Sequence, residues 1–183
     1  MRDQNSSNEQ SNDKDHFSIN SEESSNRNAS ANVGASPEEE TAPQKYLELT
    51  GNPFESTHSI AFCVSADFKI STDIARKIQQ TYPTQYPSNL DHIYIPLWPQ
   101  WLPKEKRYIY HLVTKQKFYN KTTYSTLLFS LERMRIHAER NGIQRISLPC
   151  IGLDLDRLEW LIVRQIIQDV FRTSSVLITV YKQ

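Results

Sequence analysis

The sequence predicts an α/β domain with a largely parallel central sheet over residues 45–183, preceded by a disordered tail over residues 1–44. Three observations predict it. The C-terminal half reads strand, helix, strand, helix, strand, an order that implies right-handed crossovers between parallel strands. Ser59–Val64 is a nearly continuous apolar run, as a strand buried on both faces requires. The first 44 residues are rich in Ser, Asn, Glu and Asp, with Phe17 the only aromatic. They hold too little apolar surface to offset the entropy of ordering.

The elements follow in order. Tyr46–Leu49 alternates like a strand, and Ser59–Val64 forms the buried one. Thr72–Tyr82 reads as a helix, with Ile74, Ala75, Ile78 and Tyr82 near helical spacing. His92–Leu97 reads as a strand between the proline-rich, turn-like stretches 83–91 and 98–106. Tyr108–Val113 is the next strand. Thr122 or Thr123 caps a helix running to Asn141, with Tyr124, Leu127, Leu128, Leu131, Met134 and Ala138 on one face. Gly142 ends it as the residue just past the cap. Gln144–Leu148 is a strand, and Asp156–Arg172 a helix with Leu158, Leu161, Ile162, Ile166, Val170 and Phe171 along a broad apolar face. Val176–Tyr181 is the last strand. Ligands of such sheets bind beyond the carboxyl ends of the strands, so the loops of interest are 50–55, 65–73, 114–122 and 149–156.

Charge divides as composition does. The tail carries nine acids against three bases, net −6, and residues 45–183 carry 18 bases against 12 acids, net +6. The basic part suits an anionic partner, although an ordinary soluble surface explains so modest a charge equally well. Cys63 and Cys150 sit in apolar runs and read as small buried residues. The five histidines show no metal-ligand spacing with each other or with the cysteines, so no metal and no cofactor is expected. The polar N-terminus reads as no signal peptide, and no apolar run is long enough to span a bilayer. A nuclear or cytoplasmic monomer with no membrane partner is expected.

Two residues stand where chemistry could occur. Lys115 follows the strand Tyr108–Thr114 at its carboxyl end, where an amine could act as nucleophile or point charge, or simply close the strand. Asp156 opens the last helix with Glu159 three residues on, which reads as an acidic capping box. A carboxylate there could equally serve as general base. The loop Pro149–Asp156 joins a strand to a helix start, a position that favours phosphate, yet Asp154 and Asp156 place two negative charges in it.

Taken together these residues resemble the macrodomains of the terminal ADP-ribose protein glycohydrolase and O-acetyl-ADP-ribose deacetylase type. The matching text is Arg107–Tyr110 running to Lys115, Thr123-Tyr124, Leu131-Glu132, Asn141-Gly142, Pro149, Ile151-Gly152, Leu155–Leu158 with Trp160, and Ile178–Tyr181. Ser59–Ala61, Cys63, Ser65 and Asp67 match upstream. The resemblance implies a three-layer α/β/α macrodomain with a mixed, largely parallel sheet. It implies removal of mono-ADP-ribose from glutamate and deacetylation of O-acetyl-ADP-ribose. Lys115 would be the nucleophile and Asp156 the acid/base that resolves a lysyl–ADP-ribose intermediate. Asn52, Ser65, Gly152, Leu155 and Tyr181 would contact the ligand, ADP-ribose free or on a protein.

The departures point elsewhere. Pro53 replaces a residue whose N–H the family uses, Ile70–Asp73 replaces a glycine-rich phosphate loop, and Asp154 replaces a glycine. Two functions therefore stay open: an active hydrolase, and a degenerate, non-catalytic macrodomain that binds or scaffolds with weak or altered ligand preference. Nucleic acid is not expected as a partner, because no stacking platform interleaves the basic residues.

Overall fold

The computed structural model describes residues 45–69, 73–83, 95–153 and 156–182. The expected tail, the loop residues 70–72, the start of the strand expected at 92–97, and Asp154 and Leu155 lie outside them. Among the described residues six strands form one sheet: β1 Tyr46–Thr50, β2 Ser59–Ser65, β3 Leu97–Leu102, β4 Arg107–Lys115, β5 Arg145–Pro149 and β6 Leu177–Lys182. Their order is β1-β6-β5-β2-β4-β3. Every neighbouring pair is parallel except β3–β4, so the sheet is mixed and largely parallel as expected.

Among the described residues three helices cover the sheet: α1 Asp73–Thr81, α2 Tyr124–Arg140 and α3 Trp160–Phe171. Two separate cores show that they lie on opposite faces. Ala61, Tyr110, Leu112, Ile146 and Ile178 pack with Leu127, Leu131 and Met134 of α2 and Val163, Ile167 and Phe171 of α3. Phe62, Val64, Ile109 and Val113 pack with Ile78 of α1. Adjacent residues of β2 and β4 thus enter different cores, which is why both strands read as continuous apolar runs. Among the described residues no helix is long and apolar enough to cross a membrane.

Local signals account for most boundaries. Thr123 caps α2 through its side chain and shares a reciprocal capping box with Thr126, and Gly142 follows at φ +66°. Four expectations need correction. Of the strand expected at 92–97 only Ile95–Leu97 are described, and of these Leu97 alone is in a strand, β3, which runs to Leu102 inside the stretch expected to be turns. It is antiparallel to β4 and lies at the sheet edge, where Pro99 removes no hydrogen bond that a neighbour needs. The last helix begins at Trp160 rather than Asp156, capped by Glu159 without a side-chain hydrogen bond. Its buried stripe is Val163, Ile167 and Phe171, so Leu161 and Ile162 are exposed, as is Leu128 of α2. Cys63 and Cys150 are half-buried at the margin of the α2–α3 core rather than enclosed by it.

Candidate active site

The carboxyl ends of the parallel strands converge on one edge of the sheet, and β4 ends there at Lys115. Register between β2 and β4 shifts by one residue at this point: Val64 opposes Val113, but Ser65 opposes Lys115. The extra residue breaks the two-residue alternation and re-aims the side chains. Strict alternation would put Lys115 on the face of Val113, toward α1. Its ammonium instead reaches the loop before α3.

There Lys115 Nζ donates to Asp156 Oδ1 at 2.9 Å, and the two side chains are only 5% and 10% exposed. The backbone N–H of Thr122 donates to the same oxygen at 3.0 Å. The hydroxyls of Thr114 and Thr122 are 2.8 Å apart, tying the end of β4 to the approach to α2. Burial pushes the Asp156 carboxyl up, but the Thr122 N–H and the Lys115 ammonium outweigh it and hold the group below its ordinary value. Asp156 is therefore a carboxylate. Its expected cap role is overturned, because both hydrogen bonds point back at β4 and Thr122 while the helix starts four residues later. Among the described residues no cluster of His, Cys, Asp or Glu could hold a metal.

The other expected residues fall into two groups around this pair. Gly152 supports the loop that carries Asp156. Its φ is +79°, and an added Cβ would stand 2.9 Å from Leu158 Cδ1. The Leu158 N–H closes the loop onto the Gly152 carbonyl at 2.8 Å. Ser65 is fully buried, and its hydroxyl donates to Asp67 Oδ1 at 2.6 Å. Asp67 Oδ2 in turn accepts from the Phe118 N–H at 3.3 Å. Ser65 thus orders the loops on either side of Lys115 through Asp67, a link that sequence reasoning missed.

Asn52 and Tyr181 belong to the far end of the same edge. A cleft of about 510 Å³ opens beyond β1 and β6, lined by Thr50–Asn52, Phe54 and Glu55, by Asp73 and Lys77 of α1, and by Lys182. Asn52 Oδ1 accepts from the Phe54 N–H at 3.0 Å and so caps a 3-10 turn, Pro53–Glu55. Pro53 stands at the first position of that turn, where a missing N–H costs nothing. Tyr181 is half-buried behind Gly51, whose added Cβ would meet its ring at 3.7 Å. Asp73 reaches Arg76 Nη1 at 2.6 Å in an exposed pair that only partly offsets its charge at the cleft wall. The cleft does not include Lys115 or Asp156. From β6 to β4 the sheet order crosses β5 and β2, about 14 Å at ~4.8 Å per strand. A nucleotide-sized ligand seated in the cleft could span that distance.

The chain is 34% identical over 158 residues to ADP-ribose glycohydrolase OARD1 of Bos taurus, covering 81% of this chain and 99% of that protein. Against ADP-ribose glycohydrolase OARD1 of Homo sapiens it is 36% identical over 132 residues, 68% of this chain and 82% of that one. Among solved structures, the macrodomain of Thermus aquaticus DarG superposes with a TM-score of 0.63 at 16% identity, covering 75% of this chain and 97% of that one. No protein-family model matches the chain. A buried Lys–Asp pair at the carboxyl edge of a six-stranded mixed sheet, in a chain so similar over nearly the whole bovine protein, settles the kinship: this protein belongs to the macrodomain family of ADP-ribose glycohydrolase OARD1.

Proposed function

We propose that the protein is an ADP-ribosyl hydrolase that releases mono-ADP-ribose from glutamate and deacetylates O-acetyl-ADP-ribose, with Lys115 as nucleophile and Asp156 as acid/base. The observation that carries this reading is the 2.9 Å Lys115–Asp156 contact, buried at the edge where such sheets bind ligands. Similarity to ADP-ribose glycohydrolases supports the substrate class.

The geometry suits a double displacement. A lysine is a nucleophile only as the free amine, and Asp156 is placed to take its proton. The neutral Nζ then attacks the anomeric carbon of the distal ribose. The bond from that carbon to the glutamyl oxygen breaks, and glutamate leaves as its carboxylate while Asp156 releases the proton to solvent. In the second half Asp156 takes a proton from water, and the oxygen bonds to the anomeric carbon. The carbon–nitrogen bond breaks, and the proton returns to Lys115, which restores the ion pair. ADP-ribose departs with one oxygen from water.

A second reading, a binding module without turnover, draws on Glu55 and Asp73 at the wall of the cleft, where carboxylates would repel a diphosphate. Single-turnover assays on a mono-ADP-ribosylated glutamate peptide, wild type against Lys115→Ala, separate the two. Release of ADP-ribose by the wild type alone is expected. No release by the wild type would leave only the binding module, and equal release by both proteins would exclude Lys115 as the nucleophile.

A further inference from the structure

We propose that the loop 116–122 between β4 and α2 is a docking surface for an acidic polypeptide segment flanking the ADP-ribosylated side chain. The proposal rests on the hydrolase reading above and names the class of its acceptor.

Position is the first argument. The loop begins at the residue after Lys115 and ends at Thr122, whose N–H holds Asp156. The loop is therefore one of the surfaces that an acceptor bonded to the anomeric carbon at Lys115 would meet.

The loop is also held in shape. Asn120 Oδ1 accepts from the Lys117 N–H at 2.9 Å, and the Asn120 N–H returns to the Lys117 carbonyl at 2.9 Å. The Phe118 N–H is held by Asp67, itself held by Ser65. On this fixed turn Phe118 is 40% exposed and Tyr119 71% exposed. Two adjacent rings displayed from an ordered loop, rather than tucked beneath it, leave apolar area that a partner would cover.

Charge and ring geometry choose the partner. The stretch 116–122 contains Lys117 and Lys121 and no acid, and Lys69 Nζ sits 5.2 Å from the Phe118 ring centroid. Carboxylates of an acidic segment meet these ammonium groups, and its backbone lies on the rings. A nucleic acid would need open, roughly parallel ring faces for its bases. Here the rings stand edge-to-face at 80°, and Lys69 covers Phe118.

The test compares the full chain with the triple variant Phe118→Ser, Tyr119→Ser, Lys121→Glu. Substrates are a mono-ADP-ribosylated glutamate peptide with acidic flanks, the same peptide with serine flanks, and O-acetyl-ADP-ribose. For the acidic peptide the variant is expected to raise KM by about tenfold with kcat within about twofold, and turnover of O-acetyl-ADP-ribose is unchanged. Wild-type preference for the acidic peptide weakens with salt and is lost in the variant. Equal kcat/KM for the two peptides in the wild type overturns the proposal while leaving the hydrolase intact. So does an unmodified oligonucleotide that inhibits more strongly than the unmodified acidic peptide. A variant equally impaired on O-acetyl-ADP-ribose shows that the loop supports the site rather than docks a partner. No turnover of O-acetyl-ADP-ribose by the wild type overturns the hydrolase reading itself.

Discussion

Lys115 and Asp156, 41 residues apart in sequence, form a 2.9 Å ion pair in which both side chains are shielded from water. Removing either partner strands the other as a buried charge, so stability and chemistry have to be read separately. Asp156→Asn keeps the shape and removes the charge. It is expected to lower turnover by at least about 100-fold, since the second half needs the carboxylate to activate water, whereas a buried lysine stripped of its counter-charge sheds its proton unaided. In Asp156→Ala the second half stalls. Intact-mass measurement after mixing with substrate is expected to show one added ADP-ribose, which peptide mapping places on Lys115.

Acid sensitivity has a named source in His111. Burial pushes this fully enclosed imidazole down to about 4 from 6.5, against the hydrogen bond its Nδ1–H donates to the Trp98 carbonyl at 3.0 Å. The unfolded chain therefore binds a proton that the folded chain refuses between those values, and stability falls as pH falls through that window. Wild-type protein is expected to lose roughly 2–3 kcal/mol of this contribution between pH 7 and pH 4.5. His111→Asn keeps a donor for Trp98 but cannot titrate. Its denaturation midpoint should change less over the same range. Asp156, held below its ordinary 3.8, adds a further loss only at still lower pH, as its carboxylate is protonated.

Gly152→Ala tests the loop that carries Asp156. Its positive φ disfavours any Cβ, and Leu158 Cδ1 would stand 2.9 Å away. A loss of about 1–3 kcal/mol is expected by chemical denaturation, with a fall in kcat as the carboxylate shifts. Adding Leu158→Ala removes the clash but not the backbone strain. The double variant should recover none of the φ penalty and lose packing as well.

Arg107 supplies a control remote from the chemistry. Its guanidinium donates to Glu105, Tyr82 and the carbonyls of Ser56 and His58 at the amino end of β4. Arg107→Lys cannot reproduce that fork and is expected to cost about 2–4 kcal/mol, with kcat unchanged for the folded fraction. Equal melting temperatures for variant and wild type would show the network contributes nothing.

Apolar patterning made most of the fold legible. The double-faced burial of Ser59–Val64 and the caps at Thr123 and Gly142 appear where the side chains demand them. The errors fall where local pattern and tertiary setting disagree. Pro99 reads as a turn but sits in an edge strand that tolerates it. Asp156 with Glu159 reads as a cap, yet the carboxylate faces Lys115. Exposed Leu161 and Ile162 read as core because periodicity cannot say where a helix starts.

The sequence by itself determined the layered α/β architecture, the strand ends that bear Lys115 and the family, because burial periodicity, caps and motif spacing are local properties. Only the tertiary structure decided that Lys115 meets Asp156. That contact depends on a one-residue shift between β2 and β4, which turns the lysine away from the face its position in the strand would give it. Register belongs to a pair of strands, so neither strand's residues record it alone.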